Sequence, residues 1–273
     1  KRKLGNFESN LIIGIHYLKN ENYDLAKKYL LKLKARNSQF LLNDFVSTSL
    51  LSWVSFSNLD LNKAENKFND MNEQFENLKN IQNVFLNCHY KSKKTEILFE
   101  ELTSNEKIDF SRYNYFYANY LSKAGKQKKA KKVLESSIKL YPRNLLLNQL
   151  RYDFGNKDNK NSFDCQNLSH ISAEILYIVA NAYSAQQIFE LSNFYLNLSK
   201  YLNRDFHSFD TLLAENFYKI NNFEQAKKIY NSIEKNGAAY LWYAAKQKAK
   251  ILVKEEKKEK ALNILSRAFA KTP

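Results

Sequence analysis

The sequence predicts an all-α protein assembled from repeated helix-turn-helix hairpins, and three observations carry that expectation. Only five glycines and two prolines occur in 273 residues, too few for the turns of a sandwich or barrel. A constellation of small and large residues recurs along the chain at helical spacing. Both prolines fall at one and the same place in that recurring unit.

The unit consists of a small residue, a large apolar one three places later, and a second small one nine places after that. It is found at Gly14, Tyr17 and Ala26, then at Ser52, Ser55 and Ala64, where the middle member is weak. Further copies follow at Ala118, Leu121 and Ala130; Ala180, Tyr183 and Ser192; Ala214, Phe217 and Ala226; and Ala249, Leu252 and Ala261. The first two members share a helix face at i, i+3, and the third belongs to a second helix after a turn. Small residues let the two backbones approach while the large one fills the neighbouring groove. Turn-forming residues stand between the second and third members, at Asn20-Glu21-Asn22, Ala124-Gly125-Lys126 and Asn221-Asn222, where Gly and Asn tolerate the left-handed backbone that ends a helix. Pro142 and Pro273 each lie twelve residues after a final small member, Ala130 and Ala261, and mark the exit from a second helix.

Successive final members are 38, 66, 62, 34 and 35 residues apart, and the two wide gaps each leave room for a degenerate unit. One covers residues 75–102, with Phe85, Leu86, Ile97, Leu98 and Phe99 as its apolar positions. The other opens with Leu145, Leu146, Leu147 and Leu150 and passes into the polar run 155–161, the best candidate for a flexible break.

The run 111–144, SRYNYFYANYLSKAGKQKKAKKVLESSIKLYPRN, resembles a tetratricopeptide repeat (TPR), with Tyr117-Ala118, Leu121, Gly125, Ala130 and Pro142 at the places of that family's signature residues. Residues 7–37, 207–234 and 242–273 resemble it less fully, and within the family the arrangement is similar to exported alphaproteobacterial members, 173–206 most of all. The resemblance implies a right-handed superhelical solenoid of about six to eight hairpins, two of them degenerate. It makes residues 1–273 a single repeat domain, with a break near 155–170. It also implies a concave groove, lined by the first helix of each hairpin, in which peptides or partner proteins bind.

Signatures of catalysis are missing from the sequence. It contains no phosphate-cradling Gly-x-x-x-x-Gly-Lys, no Gly-x-Gly-x-x-Gly turn, no His-Glu-x-x-His helix and no Gly-x-Ser-x-Gly elbow. His16, His89, His170 and His207 are far apart, and a solenoid keeps distant repeats apart. Cys88-His89 is the one adjacent nucleophile and base, but neighbours on a helix point about a quarter turn apart, so a packed cysteine beside a surface histidine is expected. Two cysteines, Cys88 and Cys165, belong to no paired spacing, so neither a disulfide framework nor a zinc module follows and the redox compartment stays open. Neither an enzyme nor a protein with a cofactor or metal is expected.

The expected function is a non-catalytic protein-interaction scaffold. Groove candidates are Tyr115, Asn119, Ser122 and Lys123 in one hairpin, Tyr177, Asn181 and Ser184 in another, and Thr211, Glu215 and Tyr218 in a third. Tyr115 and Asn119, like Tyr177 and Asn181, are spaced i, i+4 and offer an aromatic plate beside an amide; the alternative is that these tyrosines seal the space between repeats. Lys246, Lys250 and Lys254 form a basic stripe in the last hairpin, where nine Lys or Arg stand against three Glu between positions 242 and 273. An acidic peptide could be gripped there, with a solvated capping repeat as the alternative. The family's carboxylate clamp does not carry over, because Tyr115 and Tyr177 stand where it needs cations.

A net charge of +15 raises a second function, an electrostatic adaptor for membrane headgroups or nucleic acid, through the basic run 126–132 and the last hairpin. No aromatic residue interleaves that run, which disfavours single-stranded nucleic acid. The alternative is compositional: AT-rich codon usage would raise Lys together with Asn, Ile, Phe and Tyr without selection for binding. No small-molecule substrate is expected. A leader upstream of Lys1 would make this an exported protein, and a periplasmic or membrane-associated place is expected over a cytoplasmic one.

Overall fold

A computed structural model describes residues 6–34, 41–56, 61–69, 75–104, 111–156 and 163–271. Among these the chain is all-helical, with fifteen helices and no strand. They are α1 (Phe7–Lys19), α2 (Tyr23–Lys34), α3 (Leu41–Phe56), α4 (Leu61–Asn69), α5 (Glu76–His89), α6 (Thr95–Thr103), α7 (Ser111–Lys123), α8 (Gln127–Leu140), α9 (Leu145–Asn156), α10 (Leu168–Ala185), α11 (Phe189–Leu202), α12 (Ser208–Lys219), α13 (Phe223–Ile233), α14 (Ala238–Lys254) and α15 (Lys258–Lys271).

Asparagine starts many of these helices. Asn6 accepts a hydrogen bond from the Ser9 amide at 2.9 Å, Asn22 from Leu25 at 3.2 Å, Asn144 from Leu147 at 3.2 Å, Asn167 from Ser169 at 2.9 Å and Asn222 from Gln225 at 3.3 Å. Each satisfies an amide that the first helical turn leaves without a partner. Part of the chain's asparagine content therefore has a local structural use.

The hairpin turns share one geometry. Glu21, Gly125, Gln187, Asn221 and Glu256 adopt φ of 57°, 78°, 63°, 59° and 60°, and in each case the next helix begins two residues later. The amide one place beyond this left-handed residue donates back across the turn: Asn22 to Tyr17, Lys126 to Leu121 and Asn222 to Phe217 at 2.9 Å, and Lys257 to Leu252 at 2.8 Å. This is the Schellman closure, and its acceptors are the large second members of the sequence unit. Lys91 repeats the closure with φ 55°, and Ser92 donates to the Asn87 carbonyl at 2.8 Å, although α6 begins only at Thr95. Here the degenerate unit keeps its turn; Phe85, Leu86 and Phe99 are buried, whereas Ile97 is exposed.

The small members of the repeated unit are buried. Ala26, Ala64, Ala118, Ala130, Ala180, Ser192, Ala214 and Ala226 have no exposed surface. A Cβ added to Gly14 would lie 2.9 Å from Leu30 Cδ2 on α2, so α1 and α2 approach more closely than a side chain at position 14 permits. Helices α1 and α2, α7 and α8, α12 and α13, and α14 and α15 pack as hairpins.

The chain divides into two compact units. The first comprises Lys1–Leu98, Phe163–Gln186 and Phe194–Arg204, and the second Phe99–Ser162, Gln187–Asn193 and Asp205–Pro273. Of the break expected near 155–170, α9 continues through Asn156, residues 163–170 are ordered around the start of α10, and 157–162 lie outside the described residues.

In the first unit α3 packs against α10, far away in sequence. Trp53, wholly buried, donates its indole N–H to Gln82 Oε1 at 2.5 Å, and the Tyr195 hydroxyl donates to Asn43 Oδ1 at 3.1 Å. Cys88 at the end of α5 is joined to Cys165 by a disulfide, Cα atoms 5.8 Å apart. The spacing of the two cysteines gives no sign of this bridge, which the fold brings together across 77 residues. Beside the bridge, the His89 ring stands edge-on to Trp53 at 5.9 Å and is half-buried, and burial lowers its pKa. It is not the surface histidine predicted.

In the second unit α9 packs against α14, α7 and α8. Buried Gln149 donates to Asp153 Oδ1 at 2.6 Å and accepts from the Ala239 amide at 3.1 Å, thereby capping α14. Its amide group lies 2.1 Å from where a Cβ at Gly237 would be, and Gly237 has φ 137°. Only glycine meets both demands. Ala214, Ala226, Tyr230, Ile233, Tyr240, Ala244 and Ile251 form one continuous core across α12, α13 and α14.

Candidate functional site

The candidate groove residues fall in both units. In the first, Tyr177 is half-buried and Asn181 exposed on α10, while Ser184 is buried. Ser184 therefore offers little surface to a partner.

In the second unit, α7 departs most from expectation. Tyr115 has no exposed surface and packs against Phe116 at 5.5 Å and Phe206 at 5.8 Å between ring centroids. Asn119 is buried as well, and Lys123 at the helix end is exposed. Placing Tyr115 and Asn119 on a ligand-facing surface is corrected: α7 packs against both α8 and α9, and Tyr115 fills the interior. Burial also pushes the Tyr115 phenol far above its usual pKa, so it is a neutral core group. Arg112 completes this wall, its guanidinium 5.2 Å from the Phe206 ring and donating to Ser208 Oγ at 2.6 Å.

Helices α12 and α14 bring the remaining candidates together. Lys254 Nζ lies 4.5 Å from the centroid of Tyr218 and 5.5 Å from that of Phe223, within cation–π range. Lys246 Nζ lies 5.9 Å from the Trp242 ring. Lys246, Lys250 and Lys254 are all exposed. Trp242 extends their stripe by one more i, i+4 step, so one face of α14 reads aromatic, cation, cation, cation.

Glu215 bounds this face from α12. It accepts a hydrogen bond from the Tyr243 hydroxyl at 2.5 Å, and Tyr243 in turn stands edge-on to Tyr230 at 6.0 Å. Burial first, then the Glu215 charge, raises the Tyr243 pKa and keeps it a hydrogen-bond donor. Glu215 is held as an acceptor by Tyr243, and the exposed lysines of α14 provide positive charge beside it. Trp242 and Tyr243 join the residues predicted from sequence: continuing the four-residue step of the lysine stripe backwards finds the first, but Tyr243 has no such signal.

The basic run on α8 is partly engaged. Lys129 pairs with Glu100 at 2.5 Å and Lys131 with Glu135 at 3.8 Å, while Lys128 and Lys132 are exposed. Among the described residues no group of three or more His, Cys, Asp or Glu is placed to hold a metal ion. No described helix is long and apolar enough to cross a membrane.

No protein-family model matches the chain, and no curated protein matches it significantly.

Proposed function

We propose that the chain is a non-catalytic interaction scaffold of the tetratricopeptide repeat class that binds a peptide or protein partner on the face formed by α12 and α14. The stacking of its hairpins into a right-handed superhelical solenoid is part of this proposal. It is supported by the common turn geometry and by the small residues at the hairpin crossings.

The observation that carries the reading is the α14 stripe of Trp242, Lys246, Lys250 and Lys254 beside Tyr218 and Glu215. Rings supply rigid contact area, the lysines attract carboxylates, and Glu215 accepts from a partner's amide or cation. Panning a displayed peptide library on the whole chain tests it. Selected peptides should be acidic and should lose affinity by about tenfold or more when Lys246 and Lys250 are changed to Glu. Selection of nothing, or of peptides indifferent to those changes, removes the α12–α14 face from consideration.

A second reading, an adaptor for anionic surfaces, draws on the exposed Lys128 and Lys132 of α8. It requires binding to acidic vesicles that falls steeply with salt and weakens when those two lysines are changed to Glu.

A further inference from the structure

A cleft of about 210 Å³ opens between α14 and α15. Its floor is apolar, formed by Leu241 and Ala245 from α14 and by Ile264 and Ala268 from α15, and Glu234, Lys248, Arg267 and Lys271 complete its lining. On α14 these positions are 241, 245 and 248, whereas the stripe described above uses 242, 246, 250 and 254. At 100° per residue the two sets point roughly 160° apart around the helix. The cleft is therefore a separate surface, and its fate is independent of the function proposed above.

The charge around the cleft is one-sided. Glu234, its only carboxylate, is paired with Lys248 at 2.5 Å, and Lys248 also donates to Asn231 at 2.9 Å. That internal pair is neutral. Arg267 and Lys271 remain; both are exposed, and among the described residues neither is in an ion pair. They stand i, i+4 on α15, one helical turn apart. Thus, among the described residues, the rim carries two cations without an ion-pair partner in a row beside an apolar floor.

The size and chemistry of the cleft restrict its occupant. The volume is below the roughly 300–1,000 Å³ of small-molecule sites, and the one carboxylate of the lining, Glu234, is held by Lys248. No aromatic ring lines it, so it offers no platform for stacked bases. A trough between two antiparallel helices accepts the apolar edge of a third helix. Two cations one turn apart match two carboxylates one turn apart. We infer that the α14–α15 cleft is a docking site for an acidic amphipathic helix of a partner protein, which seats aliphatic side chains on Leu241, Ala245, Ile264 and Ala268 and pairs its carboxylates with Arg267 and Lys271.

Fluorescence anisotropy with the whole chain tests this. The probe is a short labelled helical peptide with leucines on one face flanked by glutamates; the control has the same composition with its leucines scattered around the helix. The patterned peptide should bind about tenfold more tightly than the scattered one. Changing Arg267 and Lys271 together to Glu, at exposed positions that leave the thermal transition in place, should abolish that advantage. Changing the exposed Lys27 and Lys28 of α2 to Glu, an equal change in charge, should leave it intact. Equal binding of both peptides would reduce the effect to the general attraction of a +15 chain and overturn the inference, as would indifference to the Arg267 and Lys271 changes. Displacement of the patterned peptide by a single-stranded oligonucleotide or by anionic vesicles, with the same dependence on Arg267 and Lys271, would reassign the cleft to nucleic acid or lipid.

Discussion

Glu256 and Gly125 hold the same position in two hairpins of the second unit, and changing each tests the turn geometry in opposite directions. Glu256 adopts φ 60° and Gly125 φ 78°. A residue with a Cβ pays roughly 1–2 kcal/mol to enter the left-handed region; glycine pays nothing sterically, but its unfolded chain has more freedom, worth about 0.4–1 kcal/mol. Glu256→Gly should therefore stabilise the second unit by about 0.5–1 kcal/mol. Nothing lies within 4 Å of a Cβ built on Gly125, so Gly125→Ala should cost about the same amount through the backbone alone. Asn221, at φ 59° in a third turn, belongs to a residue type that tolerates this region, and Asn221→Gly should change stability by less than about 0.5 kcal/mol. Urea unfolding measures all three, with an unchanged m-value as evidence that stability has changed and the compactness of neither state has. The reasoning fails if Gly125→Ala is neutral while Glu256→Gly destabilises, because the positive φ would then carry no cost at these turns.

Two further predictions concern packing and the cross-link. Ala130 is wholly buried on α8 at its crossing with α7, so Ala130→Leu should cost about 1–3 kcal/mol by overpacking; an unchanged melting temperature would show that the crossing lies elsewhere. The Cys88–Cys165 bridge spans 77 residues, and loop-closure entropy for that length makes it worth about 4 kcal/mol to the first unit. Reduction, or the paired change of both residues to Ala, should lower the thermal transition accordingly, and mass spectrometry under non-reducing conditions should find no free thiol. A chain whose melting is insensitive to reductant would contradict the bridge.

The hairpins were legible because their signals are local. Gly14, Ala26, Ala118, Ala130, Ala214 and Ala226 can be found by counting along the chain, since helix period and turn length fix which of them face one another. Asn222 and Gly125 could be placed for the same reason, as caps and left-handed turns depend on a few consecutive residues. The candidate site was legible only in part. Tyr218 and Lys254 stand against one another, but Tyr115 went to the interior, because spacing on α7 says which residues share a face and not what covers that face.

The sequence by itself determined that this chain is helical, where three of its hairpins turn, and that its last hairpin carries a row of cations. Those properties follow from backbone sterics and helical period, which act over a few residues. Only the tertiary structure decided that Cys88 meets Cys165, that α3 lies against α10 and α9 against α14, that Gln149 caps a helix reached 90 residues later, and that Arg267 and Lys271 border an apolar cleft. Each of these depends on which distant surfaces exclude water together, and burial is a property of the assembled helices that no short window of residues records.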